Sequence, residues 1–191
     1  MASQIIVDDF LDDFELFRRH CDNVSYDGES NPADNVFYPG VSLDIPRDVE
    51  EEIISKIQVH IGQKIKLKSM FLRLSTLGME APHGAHTDAI MGQCSLMLYL
   101  NRAEDCEGGT SFLVHKKTGL CATPINEKQL KTWRDDTNNH NMWQITGICP
   151  MIPNRAFIFD ANMMHRAEPV GGFGENSKDG RLVLTAFFDY D

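Results

Sequence analysis

The sequence predicts a mainly β protein of the α+β class: a sandwich or barrel module behind a helical lead-in. The first observation is a change of character at Lys64. From there the runs "KIKLKSMFLRLST", "CSLMLYLN", "GTSFLVH", "MWQITGICPMI", "RAFIFDA" and "RLVLTAFFDY" are short and rich in apolar, β-branched and aromatic residues. Gly, Pro and Asn separate them, as strands are separated by turns. The second is the lack of the regular strand–helix alternation that a parallel α/β sheet requires. The third is that the best helical periodicity lies before residue 64.

In the lead-in, "QIIVDDFL" reads as a short strand followed by a turn. "DDFELFRRHC" has acids in its first turn and Phe14 and Phe17 three apart, which predicts a helix. Residues 22–39 are rich in Asn, Asp, Gly, Ser and Pro and read as a long loop. "PRDVEEEIISKIQVHIG" is the strongest helix. Pro46 suits its first turn, acids follow, Ile53, Ile57 and Ile61 recur every four residues, and Gly62 ends it. Within the β module, "PINEKQLKTWRDD" predicts one inserted helix. "TNNHN" and "GGFGENSKDG" predict exposed loops, the second mobile because of its glycines. The expectation is a single domain, residues 1–191, with 1–63 as lead-in and 64–191 as β core.

The bulk numbers exclude some functions. A formal net charge of −10 on 191 residues repels nucleic-acid phosphates and anionic membrane surfaces. In the one basic run, "KIKLKS", lysines alternate with apolar residues, which suits the outer face of a strand. Five cysteines without a CxxC pair argue against a disulfide framework and a zinc knuckle. "MASQIIVDDFLDDF" carries aspartates where a secretion signal needs an apolar core, and no run approaches the ~20 residues of a membrane span. The expected protein is reduced, soluble and cytoplasmic, with neither nucleic acid nor membrane as partner.

The chemistry concentrates in "APHGAHTDAIMG". His86 and Asp88 are two apart, so on an extended segment both side chains point to one face. Taken alone, an HxD pair also suits a solvated loop. His165 follows the run "RAFIFD" at the mouth of a turn. Two histidines and one carboxylate on one face of an octahedral ion favour Fe(II) and leave three positions open. His83 and His86 are three apart, which would suit a helix, but Pro82 and Gly84 argue against one.

Arg181 opens the last run. On a period of two, Arg181, Val183 and Thr185 share one face and Leu182, Leu184 and Ala186 the other. Both faces are largely apolar, which predicts a central strand. Arg181 marks either an exposed strand end or the rim of a pocket, where a guanidinium calls for a carboxylate or phosphate. Tyr99, in "SLMLYLN", needs a partner for its hydroxyl if it is buried, and a core tyrosine bonded to backbone meets that need too.

HxD, then "LYLN", then "EGGTSF", then a last His, then Arg on the final strand resembles the Fe(II)- and 2-oxoglutarate-dependent oxygenases, most of all their prolyl-hydroxylase-like branch. The likeness covers about Phe71 to Asp189. It implies a double-stranded β-helix, or jelly roll. It implies a metal triad of His86, Asp88 and His165, the same residues with Arg181 as the catalytic set, and a co-substrate carboxylate held by Arg181 with help from Tyr99. The cofactors implied are Fe(II), 2-oxoglutarate and O2, with ascorbate as a further candidate. The reaction implied is hydroxylation of a C–H bond in a peptide side chain or a small amino-acid-like molecule, with succinate and CO2 as co-products. The carboxylate of Asp88 favours hydroxylation, because halogenating relatives have a small residue there. The interval from His165 to Arg181 is longer than usual in this branch, and residues 120–142 form an insertion without a counterpart. A metal- and 2-oxoglutarate-binding sensor without turnover, and a cupin-like metalloenzyme that does not use 2-oxoglutarate, are the competing classes.

Overall fold

The computed structural model describes residues 4–31, 35–79 and 81–191. The lead-in contains β1 (Ile5–Val7), α1 (Phe14–Cys21), β2 (Glu29–Asn31), β3 (Val36–Tyr38), β4 (Val41–Ser42) and α2 (Arg47–Ile61). The rest contains β5 (Ile65–Ser75), β6 (Cys94–Tyr99), β7 (Gly109–His115), α3 (Glu127–Asp136), β8 (Trp143–Pro150), β9 (Ala156–Asp160), β10 (His165–Glu168) and β11 (Arg181–Tyr190). The described residues are thus mostly β with three α-helices, and all their strand pairs are antiparallel. Six strands form one sheet in the order β1-β9-β6-β11-β5-β4, and three form a second in the order β10-β7-β8.

Two packed layers follow from the alternation of side chains. One face of the large sheet, with Leu72, Leu96, Leu98, Leu182, Leu184 and Phe188, packs against Phe17 of α1 and Ile53 and Ile57 of α2. Ile53 and Ile57 are fully buried, each contributing roughly 2 kcal/mol by leaving water. Gly62 ends α2 in the left-handed region at φ 73°, as its position predicts, and its amide donates to the Gln58 carbonyl. The other face, with Tyr99, Phe157, Phe159 and Val183, packs against Phe112 and Cys149 of the small sheet. β11 lies inside the large sheet, flanked by β5 and β6.

Four expectations need correction. The loop over 22–39 contains the hairpin β2–β3, although residues 32–34 of that stretch lie outside the described residues. Pro46 stands just before α2, extended at ψ 139°, rather than in its first turn. The exposed loop "TNNHN" is only partly exposed, since Thr137 and His140 are half-buried. "GGFGENSKDG" is tied down: Phe173 is buried, fully buried Arg18 donates to the Ser177 carbonyl at 2.6 Å, and Asn101 donates to the Gly180 carbonyl at 2.8 Å. Its glycines serve close approach. Gly172, at φ 68°, lies against the Ser75 carbonyl where a Cβ would collide.

All five cysteines are free, and no described helix is long and apolar enough to cross a membrane. Asn154 joins the lead-in to the β core. It is buried, adopts φ 56°, accepts from the Leu11 amide at 2.8 Å and donates to the Leu11 carbonyl at 2.9 Å. Asn154→Ala removes both bonds and places a less tolerant residue in the left-handed region. Chemical denaturation should show a loss of about 2–4 kcal/mol with an unchanged slope.

Candidate metal centre

His86 and His165 meet through the backbone. The His86 amide donates to the His165 carbonyl at 3.0 Å, and the His165 amide returns the bond at 2.8 Å. This antiparallel bridge adds the His86 segment beside β10. It sets the two rings 4.5 Å apart, centroid to centroid. The Asp88 amide donates to the Ala161 carbonyl at 2.8 Å, which holds the next residue but one on the same face. One ligand atom each of His86, Asp88 and His165 lie within 4.8 Å of one another.

The orientation of each ring is set by backbone. His86 Nδ1 is 3.0 Å from the Gly84 carbonyl oxygen and His165 Nδ1 is 2.8 Å from that of Met163. A carbonyl only accepts, so both Nδ1 atoms carry the proton, and each ring in its neutral form turns an Nε2 lone pair inward. Those lone pairs face a carboxylate: His86 Nε2 lies 3.6 Å from Asp88 Oδ1, and His165 Nε2 lies 3.2 Å from Asp88 Oδ2. His165 Nε2 is buried and has no aligned hydrogen-bond partner. Ser95 Oγ donates to Asp88 Oδ2 at 2.9 Å and steadies the carboxylate. Lone pairs converging on an anion with nothing between them are the donor set of a divalent cation, so the residues fit a metal ion.

Burial and the neighbouring His165 push the His86 imidazolium down to about 4. The side chain of His86 is 31% exposed, yet its Nε2 faces inward to Asp88. Burial also disfavours a charged His165, but the attraction of Asp88 outweighs it and the net shift is upward. Burial would raise Asp88, and His165, His86 and the Ser95 hydroxyl together draw it below its ordinary range.

The other singled-out residues lie on the same inner face. Arg181 is 4% exposed. Its Nη2 donates to the Gly109 carbonyl at 3.2 Å and its Nε has no partner. Burial lowers it, against a smaller upward pull from Tyr99 and Glu168. Glu168 is engaged elsewhere, by Arg166 Nε at 2.7 Å. Of the two readings for Arg181, an exposed strand end is therefore excluded. Tyr99 is fully buried, and its hydroxyl lies 3.0 Å from both Thr110 Oγ1 and the Cys149 carbonyl. Burial raises the phenol above its ordinary value. His83 stands apart from the triad, 5.2 Å from the Trp133 ring.

Several supporting residues were not legible. Ser95 shares the alternation of Met97 and Tyr99, which was a usable signal. Trp133 Nε1 and Thr137 Oγ1 both donate to the Ala85 carbonyl, at 2.7 and 2.8 Å, and the Ala85 amide donates to the Thr137 carbonyl at 2.8 Å. Asn138 Oδ1 accepts from the Gly84 amide at 2.6 Å. The insertion over 120–142 thus clamps the backbone just before His86. Nothing in its own sequence points there.

A family model described as "Family of unknown function (DUF6445)" matches residues 2–188. The chain belongs to that family. No curated protein matches this DUF6445 member. Solved structures do. The non-heme alpha ketoglutarate dependent carbocyclase SnoK from nogalamycin biosynthesis aligns with TM-score 0.56 and 14% identity, over 97% of this chain and 78% of that one. EctD from S. alaskensis, solved with 2-oxoglutarate and 5-hydroxyectoine, aligns with TM-score 0.55 and 12% identity, over 98% and 72%. The epimerase SnoN in complex with Fe3+, alpha ketoglutarate and nogalamycin RO aligns with TM-score 0.55 and 13% identity, over 97% and 78%. At such identities the likeness establishes the fold of the DUF6445 chain as one used by iron- and 2-oxoglutarate-dependent enzymes, and the activity must be argued from its own residues.

The ring orientations have a direct readout. In the metal-free protein above pH 8, 15N spectra should show His86 and His165 protonated at Nδ1 with Nε2 bare, and Zn(II) should perturb the Nε2 signals. An Nε2–H tautomer on either ring contradicts the geometry.

Proposed function

We propose that this chain is an Fe(II)- and 2-oxoglutarate-dependent oxygenase of the prolyl-hydroxylase-like branch that hydroxylates a C–H bond of a small amino-acid-like molecule or peptide side chain. The observation that carries the reading is the triad: two backbone-oriented imidazoles with bare Nε2 atoms facing one buried carboxylate. The sheet order supports a double-stranded β-helix. β5, β11, β6 and β9 lie in one layer, and the His86 segment, β10, β7 and β8 in the other. In this reading residues 64–191 are the core of one domain and 1–63 its helical support.

His86, Asp88 and His165 would hold the metal. Bound Fe(II) with 2-oxoglutarate and O2 supplies the oxidising power, coupling conversion of the co-substrate to succinate and CO2 with oxygen insertion into a C–H bond. Arg181 is poised to hold the far carboxylate of the co-substrate, because it is a buried guanidinium with no carboxylate partner among the described residues. Tyr99 reaches that carboxylate only by turning its hydroxyl away from the Cys149 carbonyl, so it chiefly braces the pocket wall. The inner-face residues Phe112, Phe157, Phe159 and Val183 exclude water from the reacting centre. Trp133 and Thr137 position His86 through the Ala85 carbonyl.

The purified protein should form succinate from 2-oxoglutarate with dependence on both Fe(II) and O2. Binding neither Fe(II) nor 2-oxoglutarate would refute the proposal. His86→Ala and His165→Ala should each weaken Fe(II) binding about 100-fold or more while circular dichroism stays unchanged. Trp133→Phe keeps the ring but loses the bond to Ala85, and should weaken Fe(II) binding about 10-fold, as loss of an outer support does. If Arg181→Gln leaves 2-oxoglutarate affinity intact, the site belongs to a metalloenzyme that does not use it.

A further inference from the structure

A second guanidinium lies beside Arg181 on the inner face of the large sheet. Arg73 stands directly opposite Val183 in the β5–β11 register, and Arg181 stands opposite Ser75. Residues opposed across antiparallel strands share a face, and diagonal neighbours are within reach of long side chains. Val183 belongs to the inner cluster with Tyr99, Phe157 and Phe159, so Arg73 is on the side of the metal centre. The placement depends on a bulge. β5 pairs Leu67 with Phe188 and Ser69 with Phe187, skipping Lys68. This extra residue shifts the core-facing set from Ile65 and Leu67 to Met70, Leu72 and Leu74, and turns Arg73 to the opposite face.

Among the described residues Arg73 has no ion-pair partner, and its Nε is buried without a hydrogen bond. Its guanidinium lies 5.6 Å from the centroid of the Tyr38 ring. Burial, and then repulsion by Arg181, draw it down to about 10. Gly40, at φ 71°, brings the turn between β3 and β4 against the Leu74 carbonyl, where a Cβ would collide, and so seats Tyr38 beside Arg73. Two adjacent, half-desolvated guanidiniums without carboxylate partners among the described residues are costly in a chain that carries a net charge of −10. The proposed co-substrate offers one free carboxylate, and Arg181 takes it. A second anion is needed for Arg73.

Resting on the proposed oxygenase reading, we propose that Arg73, backed by Tyr38, is a specificity-determining residue that binds an anionic group of the molecule to be oxidised. The substrate class is then a small carboxylate- or phosphate-bearing compound rather than a neutral one. Arg73 binds this group while Arg181 binds the co-substrate, so each anion has its own guanidinium.

The test uses Fe(II)-loaded protein under argon. Arg181→Gln should raise the 2-oxoglutarate Kd about 30-fold or more, as loss of one member of a buried charge pair does. Arg73→Gln should leave that Kd within about threefold, because it is not the carboxylate's partner. With 2-oxoglutarate saturating, about 50 mM acetate or phosphate should raise the wild-type Tm by about 2 °C over chloride at equal ionic strength, and should do nothing to Arg73→Gln. The larger of the two shifts identifies a carboxylate or a phosphate. The proposal is overturned by a 2-oxoglutarate Kd that rises in Arg73→Gln as it does in Arg181→Gln, since both arginines would then clamp one carboxylate. It is also overturned if the anions act no better than chloride on wild type, or act equally on the variant. Should Arg73→Gln not fold, Arg73→Lys keeps the charge without the planar fork and should lose most of the anion shift. A wild-type protein that binds no 2-oxoglutarate defeats the oxygenase reading itself, an outcome distinct from all of these.

Discussion

The site depends on two reciprocal backbone hydrogen bonds between His86 and His165. Their residues are far apart in sequence, and the two imidazoles do not attract one another, since burial and the neighbouring His165 both disfavour charging His86. The bridge makes the approach a matter of sheet geometry. Once His86 lies beside β10, the period of two places Asp88 on the same face, and the amide of Asp88 is itself held by Ala161. Both imidazoles then take orientation from carbonyls two residues upstream, those of Gly84 and Met163. Each ligand is therefore set by main chain, which is stiffer than a chain of side-chain contacts.

The His86 segment is short and carries glycine and proline, so one bridge would not hold it alone. The insertion over 120–142 supplies the missing restraint. It contributes donors from Trp133 and Thr137 to the Ala85 carbonyl, an acceptor from Asn138 to the Gly84 amide, and a main-chain bond from Met164 to Cys121. It grips the two ligand-bearing segments together. On the far side, Arg18 performs a similar task for residues 171–180: its Nη atoms donate to Asp22 and to the Ser177 and Lys178 carbonyls. That anchoring fixes the entry of β11, and with it Arg181.

The strands that were legible in the sequence are those that bury an apolar stripe. β6, β9 and β11 show it because a buried strand must be apolar. β10 was not legible: "HRAE" has no apolar run, and it is a strand only because Phe112 and Ser111 pair with it. The hairpin β2–β3 was hidden by its turn-forming composition. His86 and Asp88 were legible from spacing, and His165 and Arg181 came with the family likeness. The clamp at Ala85 was not, because Trp133 is 48 residues away in sequence and its hydrogen bond goes to a carbonyl, which every residue has. Arg73 was hidden for another reason. The alternating lysines of "KIKLKS" set a parity that assigns Arg73 to the wrong face, and only the bulge at Lys68 reverses it.

Buried polar atoms without partners show where this fold gives up stability. His165 Nε2, Arg73 Nε and Arg181 Nε are all orphaned, and all three belong to residues of the inner face. Each such group costs about 1–3 kcal/mol, and more when charged. On the helix-covered face of the same sheet the side chains are largely apolar and close-packed, although Arg18 Nε is orphaned there too, as are Ser69 Oγ and Ser111 Oγ elsewhere. Other buried polar groups find partners: the Arg18 Nη atoms have three and Asn154 makes two bonds to Leu11. The deficits at His165, Arg181 and Arg73 match a cation between the imidazoles and the carboxylate, and an anion at each guanidinium. Filling these sites would convert the least stable part of the interior into a satisfied one, so ligand binding and thermal stability should be linked in this protein.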